Sequence, residues 1–220
     1  MEDGHRGRRG RRDRDGLQWL VRGDRVGLVA PRRESFVDRW IDYNDPRLSA
    51  LTAFPTSRAA AGGPFKPPVA REHREALWDA VHAGRIHAFD LHVTDDGRFV
   101  GEAGLSGIEW PHASAEIAVC VFDPAERARG YGGEAVVLML AYGFDALGLA
   151  RMFIRYLSVN EAVVGAAARV AGVIGGRLVG VEREAEWAFG ARRDRMIMEC
   201  VREDFPPHPA TAHLRSGATG

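Results

Sequence analysis

The stretch AEIAVCVFDPAERARGYGGEA, Ala115 to Ala135, changes character twice. Ile117, Val119 and Val121 alternate with Glu116, Ala118 and Cys120, the period-two pattern of a strand with two occupied faces. Asp123-Pro124 stops that strand, because proline has no N–H to continue a ladder. Arg127-Ala128-Arg129-Gly130-Tyr131-Gly132-Gly133 then sets three glycines where an apolar helical run starts. Glycine lacks the side chain that would keep an anion away from backbone N–H groups. The first turn of a helix adds unpaired donors and the positive end of its dipole. Strand, glycine turn and helix together make a phosphate cradle.

Two common cradles fit less well, the first for want of its parts and the second at one position. A P-loop needs Gly-Lys-Ser/Thr at its end, and neither the lysine nor the hydroxyl is present. A dinucleotide fingerprint needs Gly-x-Gly-x-x-Gly, and Gly130-Tyr131-Gly132-Gly133-Glu134-Ala135 lacks its last glycine, although alanine is allowed there. What remains is Arg-x-x-Gly-x-Gly over 127–132, or a glycine-rich turn that serves packing alone. With GEAVVLMLAYGFDALGLARMFIRYLSVNEA after it, this segment resembles the GNAT superfamily of N-acetyltransferases. The likeness is closest to the ribosomal-protein-alanine N-acetyltransferase (RimJ/RimL-like) branch. It extends over roughly 24–205 and is densest over 115–172.

The rest of the chain reads as follows. Residues 1–16, MEDGHRGRRGRRDRDG, hold six arginines and four glycines and are expected to be a disordered arm. The arm has no aromatic residues for stacking on bases, so nucleic acid is not expected as a partner. Residues 25–31 read as a strand and 34–43 as a helix with Phe36, Val37, Trp40 and Ile41 on one face. A second short helix runs to Leu51, and 53–69, with four prolines and two glycines, is a long loop. Helix 71–83 points Leu77, Trp78 and Val81 inward. Segments 86–93 and 99–108 pair as a hairpin across Asp95-Asp96-Gly97. A helix over 131–147, a strand over 151–159 and a helix over 161–171 follow. Segments 177–187 and 195–202 close with a second hairpin around Gly190. The predicted fold class is α/β (α+β), one domain over 17–205, with a disordered tail over 206–220. By resemblance its sheet is mixed and mostly antiparallel, with a central parallel strand pair splayed apart and helices on both faces.

Composition sets further bounds. Of the 220 residues 45% are hydrophobic, enough for a full core, and no apolar run approaches the ~18 residues of a membrane span. The Arg-rich start lacks the apolar stretch of a secretory signal, and Cys120 and Cys200 read as buried hydrophobes rather than a disulfide. A cytoplasmic protein without a membrane partner is the expectation. Net charge is zero, yet residues 1–33 carry ten arginines against five acids. No pair among the eight histidines has ligand spacing, so no metal is expected.

The resemblance implies acetyl-CoA as cofactor. Its pyrophosphate would lie on Arg127, Ala128, Arg129, Gly130, Tyr131, Gly132 and Gly133, and its pantetheine arm along the strand edge at Val119 and Val121. Asn160 would bond that arm, or cap the helix after it, or do both. Glu116 is the candidate general base, or else an ion-pairing strand residue; Glu102 and His112 stand behind it. A base working through water suits an N-terminal amine, with pKa near 8. A lysine amine near 10.4 costs about 3 kcal/mol more. Many family members carry a tyrosine in the helix after the asparagine, and AVVGAAARVAGV has none. The general acid is then Tyr131, Tyr156 or no residue at all. Trp40, Glu184 and Trp187, with Asp42, Asp45, Trp110 and Glu186, lie on segments expected to flank the acceptor, an arrangement suited to a cation.

The implied function is direct acetyl transfer to a primary amine, a protein N-terminus or a small molecule such as an antibiotic. Two other classes stand beside it. One is a non-catalytic acyl-CoA-binding module, and the other a nucleic-acid binder that uses the arginine arm. A homodimer is an allowed state.

Overall fold

Periodicity dictates a layered arrangement, and the computed structural model supplies it for residues 17–45, 48, 69–127 and 129–215. The predicted arm 1–16, nearly all of the loop 53–69, and Ala128 lie outside those residues. Among the described residues eight strands form one sheet: β1 (Trp19–Arg22), β2 (Val26–Val29), β3 (His87–Val93), β4 (Phe99–Glu109), β5 (Ser114–Val121), β6 (Arg151–Leu157), β7 (Arg177–Ala188) and β8 (Ala191–Val201). Their order is β1-β2-β3-β4-β5-β6-β8-β7. Every neighbouring pair is antiparallel except β5 and β6. Strand β1 was not foreseen in the sequence; it is short, and only Val21 in it is fully buried.

One face of the sheet is covered by α3 (Tyr131–Asp145), with α4 (Glu161–Ile174) beside it. Helix α3 is apolar nearly all round, and Leu138, Met139, Leu140 and Ala141 are buried against Leu28, Leu91, Leu105, Ile117 and Met152. Burying each such large side chain contributes about 1.5–3 kcal/mol, so this face carries most of the fold's hydrophobic stabilisation.

The opposite face holds α1 (Arg33–Asp38) and α2 (Arg71–His82), and its centre is charged. Asp90 on β3, Glu102 on β4 and Cys120 on β5 form one cross-strand row. Arg39 bonds Asp90 at 2.8 Å and Glu102 at 2.7 Å. Arg74 donates to Glu102 at 2.5 Å, and the Tyr43 hydroxyl to its other oxygen at 2.7 Å. Burial opposes the Arg39 charge, yet the bonds and charges of Asp90 and Glu102 raise its pKa above the ordinary value. The predicted inward face of α2 gains a charged member, Arg74, at i, i+3, i+4, i+7 spacing with Leu77, Trp78 and Val81. Leu77, Trp78 and Val81 are half-buried, and Arg74 is the residue that reaches the interior. Helix α1 also ends at Asp38, short of Tyr43, which leaves Ile41 exposed.

The tail expectation is corrected for residues 206–215. A 3-10 turn over Pro209–Thr211 and α5 (Ala212–Arg215) pack at the C-terminal end of α3. Thr211 and Arg215 each bond Asp145 Oδ2 at 2.5 Å, and Arg202 bonds Oδ1 at 3.1 Å. A carboxylate at a helix C-terminus opposes the dipole, and these two arginines offset it. The sequence gives little sign of this, because polar anchoring leaves no apolar periodicity.

Candidate active site

The parallel pairing of β5 with β6 lasts three residues: Ser114↔Arg151, Ala115↔Met152 and Glu116↔Phe153. Beyond it the strands part. Strand β5 stays on β4 to Val121, and β6 stays on β8 to Leu157. The Phe122 N–H donates to Val100 on the β4 side at 3.1 Å. By the antiparallel alternation, Val119 and Val121 turn their backbone groups the other way, toward the gap.

A cavity of about 330 Å³ occupies this gap. It reaches both faces of the sheet. On the α3 and α4 face it is lined by Gly130, Gly132, Gly133, Asn160, Arg169 and Val170. On the other face it meets Glu116, Ser106, Cys120, Arg155 and Leu48.

The glycine turn is held from outside the cavity. Gly130 has φ 88°, a left-handed conformation that glycine adopts without strain, and α3 begins at the next residue. Arg25 donates from Nη1 to the Arg129 carbonyl at 2.9 Å. Glu134 accepts from the Asp24 and Arg25 N–H groups at 2.6 and 3.1 Å. A side chain at Gly132 would meet only Val121, at 3.9 Å, so space lies open in front of the helix start. That open start of a long helix, continuous with the strand gap, fits a diphosphate carrying an extended arm.

The other predicted residues divide. Val119, Val121 and Arg127 line the cavity. Arg127 is folded back, donating to the carbonyls of Val121 at 3.0 Å and Phe122 at 2.8 Å, so it braces the end of β5. Arg129 is exposed beside Glu126 and does not line the cavity. Tyr131 is buried in the core rather than lining the space. Asn160 caps α4, its Oδ1 accepting from the Val163 N–H at 3.3 Å, and it also lines the cavity. Its two sequence readings are thus compatible.

Glu116 lines the cavity as one half of an ion pair, with Arg155 Nη1 2.6 Å from its Oε2. Trp40, Glu184 and Trp187 do not line it. Glu184 sits in a bulge of β7 at φ 53°, its N–H on Asp194 at 2.8 Å, and Trp187 lies exposed near the tip of the β7–β8 hairpin. Strand β7 is an edge of the sheet, separated from the gap by β8 and β6, which is why these residues stay away.

Sequence reasoning missed Arg155 and Arg169. The available signal for Arg155 was a charge in mid-strand between Ile154 and Tyr156. Tyr156, one of the two tyrosines considered as an acid, lines the cavity, and burial raises its pKa. Cys120 also lines it, but burial and then the charge of Glu102 push its thiol well up. Among the described residues no group of His, Cys, Asp or Glu is arranged to hold a metal, and no helix is long and apolar enough to cross a membrane.

A glycine turn at a helix start, opening on a splayed parallel pair, defines a transferase of the coenzyme-A-dependent type. The model of the acetyltransferase (GNAT) domain matches residues 25–173, and the chain belongs to that family. It is thus an N-acetyltransferase that draws on acetyl-CoA. Among curated proteins none matches it in sequence.

Solved structures match its shape. A spermidine N-acetyltransferase from Vibrio cholerae in complex with CoA and spermine superposes with TM-score 0.67 at 17% identity, over 83% of this chain and 98% of that one. A ribosomal-protein-S5-alanine acetyltransferase from Vibrio fischeri gives 0.62 at 16%, over 84% and 98%. Mycobacterium smegmatis RimJ in complex with CoA-disulfide gives 0.63 at 21%, over 86% and 87%. At these identities the likeness is one of fold.

Proposed function

We propose that the chain transfers the acetyl group directly to a primary amine, a protein N-terminus or a small molecule, without an acyl-enzyme step. The observation that carries this reading is the cavity through the strand gap, with a glycine-rich helix start on one face and a carboxylate on the other. When bound, acetyl-CoA supplies the acetyl group as an activated thioester.

The residues then take these roles. N–H groups of the 129–133 turn and the α3 dipole hold the diphosphate. The N–H groups of Val119 and Val121, directed into the gap, are the donors for the pantetheine arm and for the oxygen where negative charge develops. Glu116 takes the proton from the amine, directly or through one water, and Arg155 fixes its orientation. Tyr156, whose raised pKa keeps it protonated, supplies the proton to the departing thiolate. Cys120 is held as a thiol and is a poor nucleophile, which favours direct attack. We place this chemistry in the cytoplasm, in keeping with two free, buried cysteines.

Thiol release from acetyl-CoA, measured over a panel of N-terminal peptides and small amines, tests the proposal. Release with at least one amine is expected, together with a higher melting temperature in CoA. Retained CoA binding without release on any amine would instead favour a non-catalytic acyl-CoA-binding module.

A further inference from the structure

The Glu116 face of the cavity is equipped for a particular kind of amine. Arg155 stands two residues beyond the last paired position of β6 and lines the cavity. Its Nη1 is committed to Glu116 at 2.6 Å, and its guanidinium lies over Phe153, 4.8 Å from the ring centroid. Its Nε is buried and makes no hydrogen bond, and Nη2 has no partner among the described residues. Nε and Nη2 share one edge of the guanidinium, the edge whose two parallel N–H groups match a carboxylate. A buried donor without an acceptor is costly, and an incoming carboxylate would satisfy it.

Charge around the cavity points the same way. Among the described residues that line it, Arg127, Arg155 and Arg169 stand against one carboxylate, that of Glu116. On the acceptor face Glu116, the lining carboxylate among the described residues, is held by Arg155. Two of the acids that the sequence offered as a cation box, Glu184 and Glu186, are engaged elsewhere, on the edge strand β7. Glu186 is paired with Arg195 at 2.9 Å, and Glu184 lies in the β7 bulge.

We propose that Arg155 determines specificity by binding a carboxylate carried a few bonds from the acceptor amine, while the amine meets Glu116. This rests on the acetyl-transfer reading above. It narrows the acceptor to a free α-amino acid or to an N-terminus with an acidic side chain at its first or second position.

The test pairs amines that differ only in that charge: alanine with alaninamide, and the peptide Glu-Ala-amide with Gln-Ala-amide, with spermidine as a polycation. Binding to the CoA-saturated protein is read by calorimetry, and turnover by thiol release. The charged member of at least one pair should bind about tenfold tighter or more, and which pair responds separates an α-carboxylate from a side-chain carboxylate. Arg155→Gln should erase that preference in binding to the CoA-saturated protein while CoA affinity stays unchanged, turnover falling with every amine because Glu116 loses its partner, and Arg155→Lys should restore part of the preference. Equal binding within both pairs, preference for spermidine, or a preference that survives Arg155→Gln in a folded variant would each overturn the proposal. If the charged amines bind selectively but no amine is acetylated, the specificity stands and the acetyl-transfer reading falls.

Discussion

The two faces of the splayed strand pair are built by different means. On the α3 and α4 side the proposed donors are backbone N–H groups, adjacent in the chain at 129–133 and presented by one helix start. On the α1 and α2 side the groups are side chains from different elements: Glu116 from β5 and Arg155 from β6 line the cavity, and behind them lies the buried row of Glu102 from β4 and Arg74 from α2. A backbone cradle tolerates change in most side chains but not a gain of bulk at its glycines. An assembly of side chains tolerates bulk at its rim but not the loss of one charge. The first is a local device and the second a tertiary one.

That contrast can be broken most forcefully at Glu102. Its carboxylate serves Arg39, Arg74 and Tyr43 at once, so Glu102→Ala leaves two buried guanidinium groups short of an acceptor. We expect a loss of about 3–5 kcal/mol in a denaturant melt. A loss below about 1 kcal/mol would mean that the charged row does not secure α1 and α2.

Next comes Gly132→Val, which adds bulk only to the cradle. Its Cβ meets no backbone, so the fold should hold while CoA affinity, read by calorimetry, drops about hundredfold. Unchanged affinity would remove the cradle from the reading. Glu116→Gln should do the reverse, lowering turnover about hundredfold with CoA affinity intact. If turnover persists, another group takes the proton.

Tyr156→Phe should slow turnover by about tenfold, at the low end for an acid because a thiolate leaves readily. The loss should be largest with the poorest leaving thiol, and a uniform loss would point to packing alone. The smallest effect lies outside the cavity. Burial lowers the pKa of His87 from its ordinary 6.5, where its Nδ1 meets the Tyr142 hydroxyl at 3.0 Å. The unfolded chain therefore binds that proton first on acidification. Stability from this site is complete above pH 6.5 and declines as pH falls through the depressed value of His87. Melting temperatures across that range should show the decline, and His87→Phe should flatten it.

Much of the architecture was legible because it is periodic. The alternation in 115–121, the apolar run of α3 and the hairpin turn at Asp95-Asp96-Gly97 each carry their own signal, and the structure places β5, α3, β3 and β4 within a residue or two of the expected bounds. Helix α4 runs three residues past the predicted end at Ala171, to a glycine cap at Gly175. Glu184 and Trp187 could not be placed from sequence. Their proximity to the site depended on β7 lying near the gap, and sheet order puts two strands between them. Arg155 was invisible for the complementary reason, since nothing in RMFIRYL says that its neighbour across the gap is Glu116.

By itself the sequence determined the strand, glycine turn and helix that begin the site, because backbone conformation and helix-end polarity are set by residues next to one another. The tertiary structure alone decided which charges meet at the far face, that Glu116 lies beside an arginine, and that the tail after Pro206 anchors on Asp145. Those contacts join residues tens of positions apart, and their energies depend on burial and distance, quantities that exist only once the sheet has assembled.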